Sequence, residues 1–546
     1  MNNVKRFGLF LVCLWLGVVH SFTVPFEGLY KLDIIHFNDF HARFEETSVA
    51  SPTCRFNNNS CLGGFPRLYH EVMTLRREKP NAILLNAGDS FQGTYWYTLL
   101  KWNITQEFMN LMPHDAHAIG NHEFDDGPEN LSNYLRALKA PVLAANMDSS
   151  QEPALQGLYK NHTIVVRNKR KIGIIGLTTV DTKILSSPGK VVFTDPGEAM
   201  SREAKILTEK HGVDIIVVLS HCGFEVDKQL ALLHGEHVDL IVGGHSHSLL
   251  WNGPAPSNET VVAPYPVFVQ STADKEHRVL IVQASAFTKY MGNLTVLFDY
   301  KGDFVEWQGG PIFLDRSIGE DESIKKKLAP YAEIVHKAEN VVVGESLETL
   351  HFTDCVFGEC ALGDLLVDSM NEYAKSHVTS DLEFLAFMQC GNIRSSIIEG
   401  SITEGEIFEL LPYYDRVESF ELHGRDVTAA LERGVSDAWA FDPFKGPWML
   451  QVAGLQVTYN VSQPEGKRVT SAFVGDVNST KELRPNHLYQ VTAPAYLADG
   501  GDGYTMFRDG KIHMNVIGRD QQILTEYIKK YSPLKVKKDG RITINK

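Results

Sequence analysis

VDLIVGGHSH, residues 238–247, joins an apolar run to two glycines and two histidines spaced two apart. The apolar run reads as a buried strand, and the glycines as a tight turn off its end. Taken alone, His245 and His247 fit an ordinary turn as well as a ligand site. The pattern recurs, and the recurrence decides the fold. KLDIIHF (31–37) runs into NDFHAR, and NAILLN (81–86) into AGDSFQG. His117–Ile119 leads into GNHEFDDG, and VDIIVVLS (213–220) into HCG. Helix-like stretches lie between them, among them GFPRLYHEVMTLRREK (64–79) and GEAMSREAKILTEKHG (197–212). Strands alternating with helices predict an α/β domain with helices packed on sheets.

The ends of such strands meet at one sheet edge, where ligands bind. Here five ends carry Asp39 and His41, then Asp89, then Asn121, His122 and Asp125, then His221, then His245 and His247. Each has a plain structural reading. Asp39, Asp89 and Asn121 suit turns, and a lone His221 suits a satisfied core position. Five oxygen- and nitrogen-bearing ends together point to a metal site. The ligand types suit a pair of divalent ions that clamp a phosphoryl group. Carboxylate, imidazole and amide favour zinc or manganese over thiolate-seeking metals, with calcium or magnesium dependence also open.

The remaining composition bounds the setting. The chain has 546 residues, enough for two domains, and a formal net charge of −15, which argues against nucleic acid as a partner. Lys5 and Arg6 followed by FGLFLVCLWLGVV (7–19) read as a secretory signal, with a cut expected after Ser21. The C-terminal PLKVKKDGRITINK lacks the apolar tail of a lipid-anchor signal, so the expectation is a secreted chain with no membrane anchor. Eight Asn-x-Ser/Thr triplets, at Asn58, Asn103, Asn130, Asn161, Asn258, Asn293, Asn460 and Asn478, agree with that route. Cys54 with Cys61, and Cys355 with Cys360, have spacings suited to short-loop disulfides. Cys222 and Cys390 have no local partner, and a long-range bridge between them stays open.

HFNDFHARFEE, LNAGDSFQGTYWY, GNHEFDDG, VVLSHCG and GGHSHS resemble the metallophosphatase blocks of the 5′-nucleotidase family. That family includes ecto-5′-nucleotidases and the secreted salivary apyrases of blood-feeding insects. The resemblance implies Asp39, His41, Asp89 and His247 around one metal, and Asp89, Asn121, His221 and His245 around the other. It implies His122 and Asp125 as a catalytic pair. With the leader read above and the charged, helix-patterned stretch IGEDESIKKKLAPYAEIVHKAEN as the connection, the expected organisation is a signal peptide at 1–21, a dinuclear metallophosphatase domain at 22–317, a linker helix at 318–342 and a C-terminal α/β nucleotide-binding domain at 343–546. Within the linker, Pro330 is expected to interrupt the helical pattern.

In the later half, QCGNIRSS is similar to the family's phosphate- and nucleotide-contacting loop, which implies Gln389, Asn392 and Arg394 as substrate contacts. Tyr413 and Tyr496 stand at the family's two aromatic positions, where a purine can stack for about 1–3 kcal/mol per base. Asp502 matches the position that accepts ribose hydroxyls. Val356 stands where relatives often carry Arg, so one phosphate contact is expected to be missing. The implied activity is hydrolysis of extracellular ATP and ADP to AMP, with removal of platelet-activating ADP as the role. A secreted 5′-nucleotidase acting on AMP is the first alternative. A catalytically silent antihaemostatic binding protein is the alternative of another class.

Overall fold

The computed structural model describes residues 28–48, 54, 61–257, 259–272, 274, 277–436, 448–475 and 479–545. The expected signal segment and Asn58, Asn258 and Asn478 lie outside the described residues.

The first half is built on two six-stranded sheets. In space the first runs Phe304–Phe313, Tyr290–Phe298, Tyr30–Phe37, Ile83–Asn86, Ala116–Ala118, Val142–Leu143. The last four of these are parallel, and Tyr290–Phe298 joins them antiparallel. The second runs Val267–Gln270, Arg278–Val282, Leu240–Val242, Ile215–His221, Arg170–Thr178, His162–Arg167, parallel except at its two outer strands.

The two-residue period of a strand explains how the sheets stack. Leu32, Ile34, Ile83 and Leu85 point into a core shared with Ile172, Ile174, Val217 and Leu240 of the other sheet. Their neighbours Ile35, Phe37 and Leu84 point the other way, onto Phe65, Leu68 and Val72 of the helix Phe65–Glu78 and Phe108 of the helix Tyr95–Met109. The helices Pro196–His211 and Phe224–His234 cover the far face of the second sheet with Met200, Leu207 and Leu230. The result is helix, sheet, sheet, helix.

The second half has its own core. A five-stranded sheet runs Leu450–Ala453, Phe384–Gln389, Leu488–Pro494, Arg416–His423, Ile512–Arg519. The helices Ala361–His377, Gly424–Gly434 and Asp520–Tyr531 contribute Leu365, Leu431 and Leu524 to that core.

Between the halves lies the helix Glu322–Glu339, started by the Asp321 side chain, which accepts from the backbone N–H of Ser323 and Ile324. It packs Ile324, Leu328 and Val335 into the first half's helical core. The helix continues through Pro330 rather than breaking there. Pro330 is exposed, so water reaches the carbonyl that its missing N–H leaves over.

Where the sheets come closest, glycine is required. A Cβ at Gly176 would stand 2.3 Å from the backbone carbonyl of Leu143 in the opposing sheet. Gly176→Ala should destabilise the protein by about 3 kcal/mol. Urea unfolding measures this, and an unchanged midpoint would contradict the close approach.

Candidate metal centre and the cleft beside it

All five predicted strand ends meet. Asp39, Asp89 and Asn121 follow parallel strands of the first sheet, while His221 and His245 follow parallel strands of the second. The stacked sheets bring both edges to one place. Three overlapping sets of donor atoms each lie within 4.8 Å of one another: Asp39, His41 and His247; His41, Asp89 and His122; Asp89, His221 and His245. Asp89 belongs to two of them. Its Oδ2 is 3.0 Å from His221 Nε2 and 3.7 Å from His41 Nε2. On the other side, Asp39 Oδ1 is 3.2 Å from His247 Nε2, and His41 Nε2 is 3.2 Å from His247 Nε2.

The backbone bends sharply to achieve this. Asp39, His41, Asp89, His245 and His247 all have φ between 47° and 72°. Such left-handed conformations cost of order 1–3 kcal/mol each for non-glycine residues and persist only where the surroundings over-determine them. Glycines make room. A Cβ at Gly120 would lie 2.1 Å from Asp89 Oδ1, and one at Gly244 would lie 2.8 Å from Ala87 O and 3.0 Å from His221 Nδ1. The second glycine of GGHSH is therefore a close-approach glycine.

The donor set fits divalent cations. His221 Nδ1 donates to Ala87 O at 2.7 Å and His41 Nδ1 to Phe91 O at 3.2 Å, which turns both Nε2 atoms inward. The buried Asn121 Oδ1 has no hydrogen-bond partner, and the buried His221 Nε2 faces the Asp89 carboxylate. Burial lowers His41 to about 3 and His245 to about 4, with neighbouring histidines adding to the effect, so both rings are neutral and offer lone pairs. Burial alone would raise Asp39 and Asp89, but the surrounding histidines hold both carboxyls below the usual range. Burial works against charge on His221, yet the Asp89 carboxylate outweighs it and pushes the ring up to about 9. A proton there stands in for the cation that the carboxylate calls for.

Next to this cluster, His122 Nδ1 lies 2.8 Å from Asp125 Oδ2, and Ser186 Oγ donates to Asp125 Oδ1 at 2.7 Å. Burial disfavours the charged His122 ring, but Asp125 and Asp89 outweigh it and raise the ring to about 10. His122 is 20% exposed and faces a cavity of about 450 Å³.

That cavity lies between the halves. Its far wall holds Gln389, Asn392, Arg394, Tyr413, Tyr496 and Asp502, so every substrate residue expected from the sequence lines one space. Gln389 Nε2 donates to Asn392 Oδ1 at 3.2 Å, and Tyr496 OH to Asp502 Oδ1 at 3.1 Å. Trp448 also lines the wall, so close behind the loop that a Cβ at Gly391 would sit 2.3 Å from its ring. Val356 is buried, 3% exposed, and does not line the cavity. The disulfides Cys54–Cys61 and Cys355–Cys360 are both formed. Cys222 and Cys390 are free and buried, one in each half, so no bridge joins them.

Sequence reasoning missed Glu123. Its buried carboxylate accepts four backbone N–H groups, from Asp89 (3.0 Å), Ser90 (2.6 Å), Phe91 (3.2 Å) and Gly120 (2.6 Å). It thus ties together the two turns that present Asp89 and Asn121. Glu123→Gln puts an N–H donor among donors, and should weaken zinc or manganese binding about 10- to 100-fold. Calorimetric titration reads this, and unchanged affinity would show that the turns hold without it.

Known proteins share this organisation. Residues 32–249 match the calcineurin-like phosphoesterase family, and residues 341–509 match the 5′-nucleotidase C-terminal domain. The chain is 40% identical over 538 residues to a Tabanus yao protein named apyrase, covering 96% of each. It is 36% identical over 539 residues to the 5′-nucleotidase of Bos taurus, covering 95% of this chain and 92% of that one. The crystal structure of a 5′-nucleotidase precursor from Thermus thermophilus superposes with a TM-score of 0.77 at 33% identity, covering 94% of this chain and 99% of that one. The joined sheets, the histidine–aspartate cluster and these likenesses agree: the chain belongs to the 5′-nucleotidase and apyrase family of metal-dependent nucleotide phosphohydrolases.

Proposed function

We propose that this protein is a secreted apyrase that hydrolyses ATP and ADP to AMP and phosphate. One observation carries the reading: the donor cluster and the Arg394, Tyr413 and Tyr496 wall face each other across a single cavity. Asp39, His41, Asp89 and His247 would hold one cation, and Asp89, Asn121, His221 and His245 the other, with Asp89 shared. Such a pair supplies positive charge to phosphoryl oxygens and makes a water acidic enough to attack at neutral pH. Zinc or manganese suits these ligands.

The chain's own residues do the rest. Arg394 offers a planar fork of donors to the phosphate chain. Tyr413, 45% exposed, and Tyr496 present aromatic faces for a base. Asp502 is placed for a ribose hydroxyl. His122 donates to the charge that builds on the phosphoryl oxygens or to the leaving oxygen. Asp125, steadied by Ser186, keeps the His122 proton on the side facing the carboxylate and aims Nε2 at the cavity.

Secretion belongs to this reading. It is supported by the leader-like first residues and by the exposed Asn103 and Asn161, each in a glycosylation triplet. Among the described residues no helix is long and apolar enough to cross a membrane. Removal of platelet-activating ADP would be the role. The Bos taurus likeness favours a second reading, a 5′-nucleotidase acting on AMP with the same ligands.

Phosphate release from ATP, ADP and AMP, with and without EDTA, separates these. The apyrase reading expects EDTA-sensitive release from ATP and ADP with AMP spared. Release from AMP would move the protein to the second reading, and no release after metal restoration would leave only a binding protein. Asp125→Asn should lower kcat on ADP by about 10²-fold with metal content unchanged. Unaltered turnover in that variant would remove Asp125 from the mechanism.

A further inference from the structure

One end of the second-half sheet forms part of the cavity wall. The strands Phe384–Gln389 and Leu488–Pro494 run parallel and end there. Arg416–His423 runs antiparallel to Leu488–Pro494, and Ile512–Arg519 antiparallel to that in turn. The wall therefore receives the last residue of one strand, Gln389, the first of another, Arg416, and the last of a third, Arg519. Arg416 and Arg519 are direct partners in the antiparallel register. Partners across two such strands point to the same face, and both arginines line the cavity together with Arg394.

The two guanidinium groups are left over by the fold. Arg519 is fixed: Nη1 donates to Tyr414 O at 2.8 Å, and Cζ lies 5.1 Å from the centroid of the Tyr414 ring. Arg416 is half-buried, and its guanidinium makes no hydrogen bond among the described residues. Among those residues no carboxylate comes within ion-pair distance of either group. Asp415, the acid next to Arg416, turns its Oδ2 to the Tyr496 N–H at 2.9 Å. Like charges directly opposite on neighbouring strands destabilise a sheet. An anion placed between them relieves that repulsion, and the planar donor fork of a guanidinium suits phosphate oxygens.

We propose that Arg416 and Arg519 are specificity-determining residues that hold the phosphate groups remaining on the nucleotide after cleavage. This rests on the nucleotide-hydrolase reading above. There the phosphate that leaves sits at the donor cluster on the facing wall, so the pair is free for the others. ATP keeps two phosphates on cleavage and ADP keeps one, whereas AMP keeps none. The pair therefore favours tri- and diphosphates over monophosphates.

The test compares ATP and ADP as substrates with adenosine, which carries base and ribose but no phosphate and is followed by calorimetry. Arg416→Gln removes one charge of the pair. It should lower kcat/KM for ADP about 10- to 100-fold, and for ATP by more, with adenosine affinity unchanged. Its Tm should not fall, because one of two opposed like charges is gone. Arg519→Lys keeps the charge and gives up the fork, and should show a smaller loss of the same kind. Unchanged ATP and ADP kinetics in both variants, or adenosine weakened to the same extent as ADP, would overturn the proposal while leaving the hydrolase reading intact. A wild-type protein that cleaves neither ATP nor ADP after metal restoration would overturn both.

Discussion

Crowded lone pairs in a dry pocket are the constraint on which the rest of this structure depends. Asp39 and Asp89 are 0% and 1% exposed, and histidine nitrogens crowd them at 3.0–3.8 Å. Without cations, such a set leaves unmatched carboxylate charge and imidazole acceptors facing one another, at a cost of several kcal/mol per buried charge. The protein nonetheless holds five of these residues in left-handed backbone and surrounds them with glycines that exclude a Cβ. Strain of that kind, gathered at one spot, marks a place built for a ligand rather than for stability.

The stacked sheets explain how residues so far apart in sequence reach that spot. Parallel strands share a direction, so their C-terminal ends share an edge, and stacking two sheets makes two such edges coincide. Glu123 then locks one turn to another through four N–H groups, while Asn38 Nδ2 donates to Asp39 Oδ2 at 2.6 Å and its Oδ1 accepts from the Ala284 N–H. The second half adds a wall of different chemistry: the guanidinium groups of Arg394, Arg416 and Arg519, two amides and aromatic faces. In the proposed reading, chemistry lies on the first half and recognition on the second, across one cavity lined by both. The long helix Glu322–Glu339 belongs by its packing to the first half yet leads directly into the second.

Much of this was legible in the residues. Each expected metal ligand follows an apolar run, so the strand reading and the ligand reading supported one another. The cavity-lining residues of the second half were visible only through family resemblance, since an Arg, two Tyr and an Asp near turns carry no pattern of their own. What stayed hidden is tertiary. Glu123 looks like an ordinary acid in GNHEF because its partners are backbone groups, three of them more than thirty positions away. Trp448 has no local signal either. Pro330 misled in the opposite sense: it signals a break, but at an exposed position of an amphipathic helix whose other face is buried, packing prevails over the one lost hydrogen bond.

The central claim is that this cluster holds two cations astride Asp89. Anomalous scattering from crystals of the metal-loaded protein tests it most directly. The account predicts two peaks roughly 3.5–4 Å apart, one among Asp39, His41 and His247, the other among Asn121, His221 and His245, with Asp89 between them. A single peak, or cations bound elsewhere with this cluster empty, would contradict it.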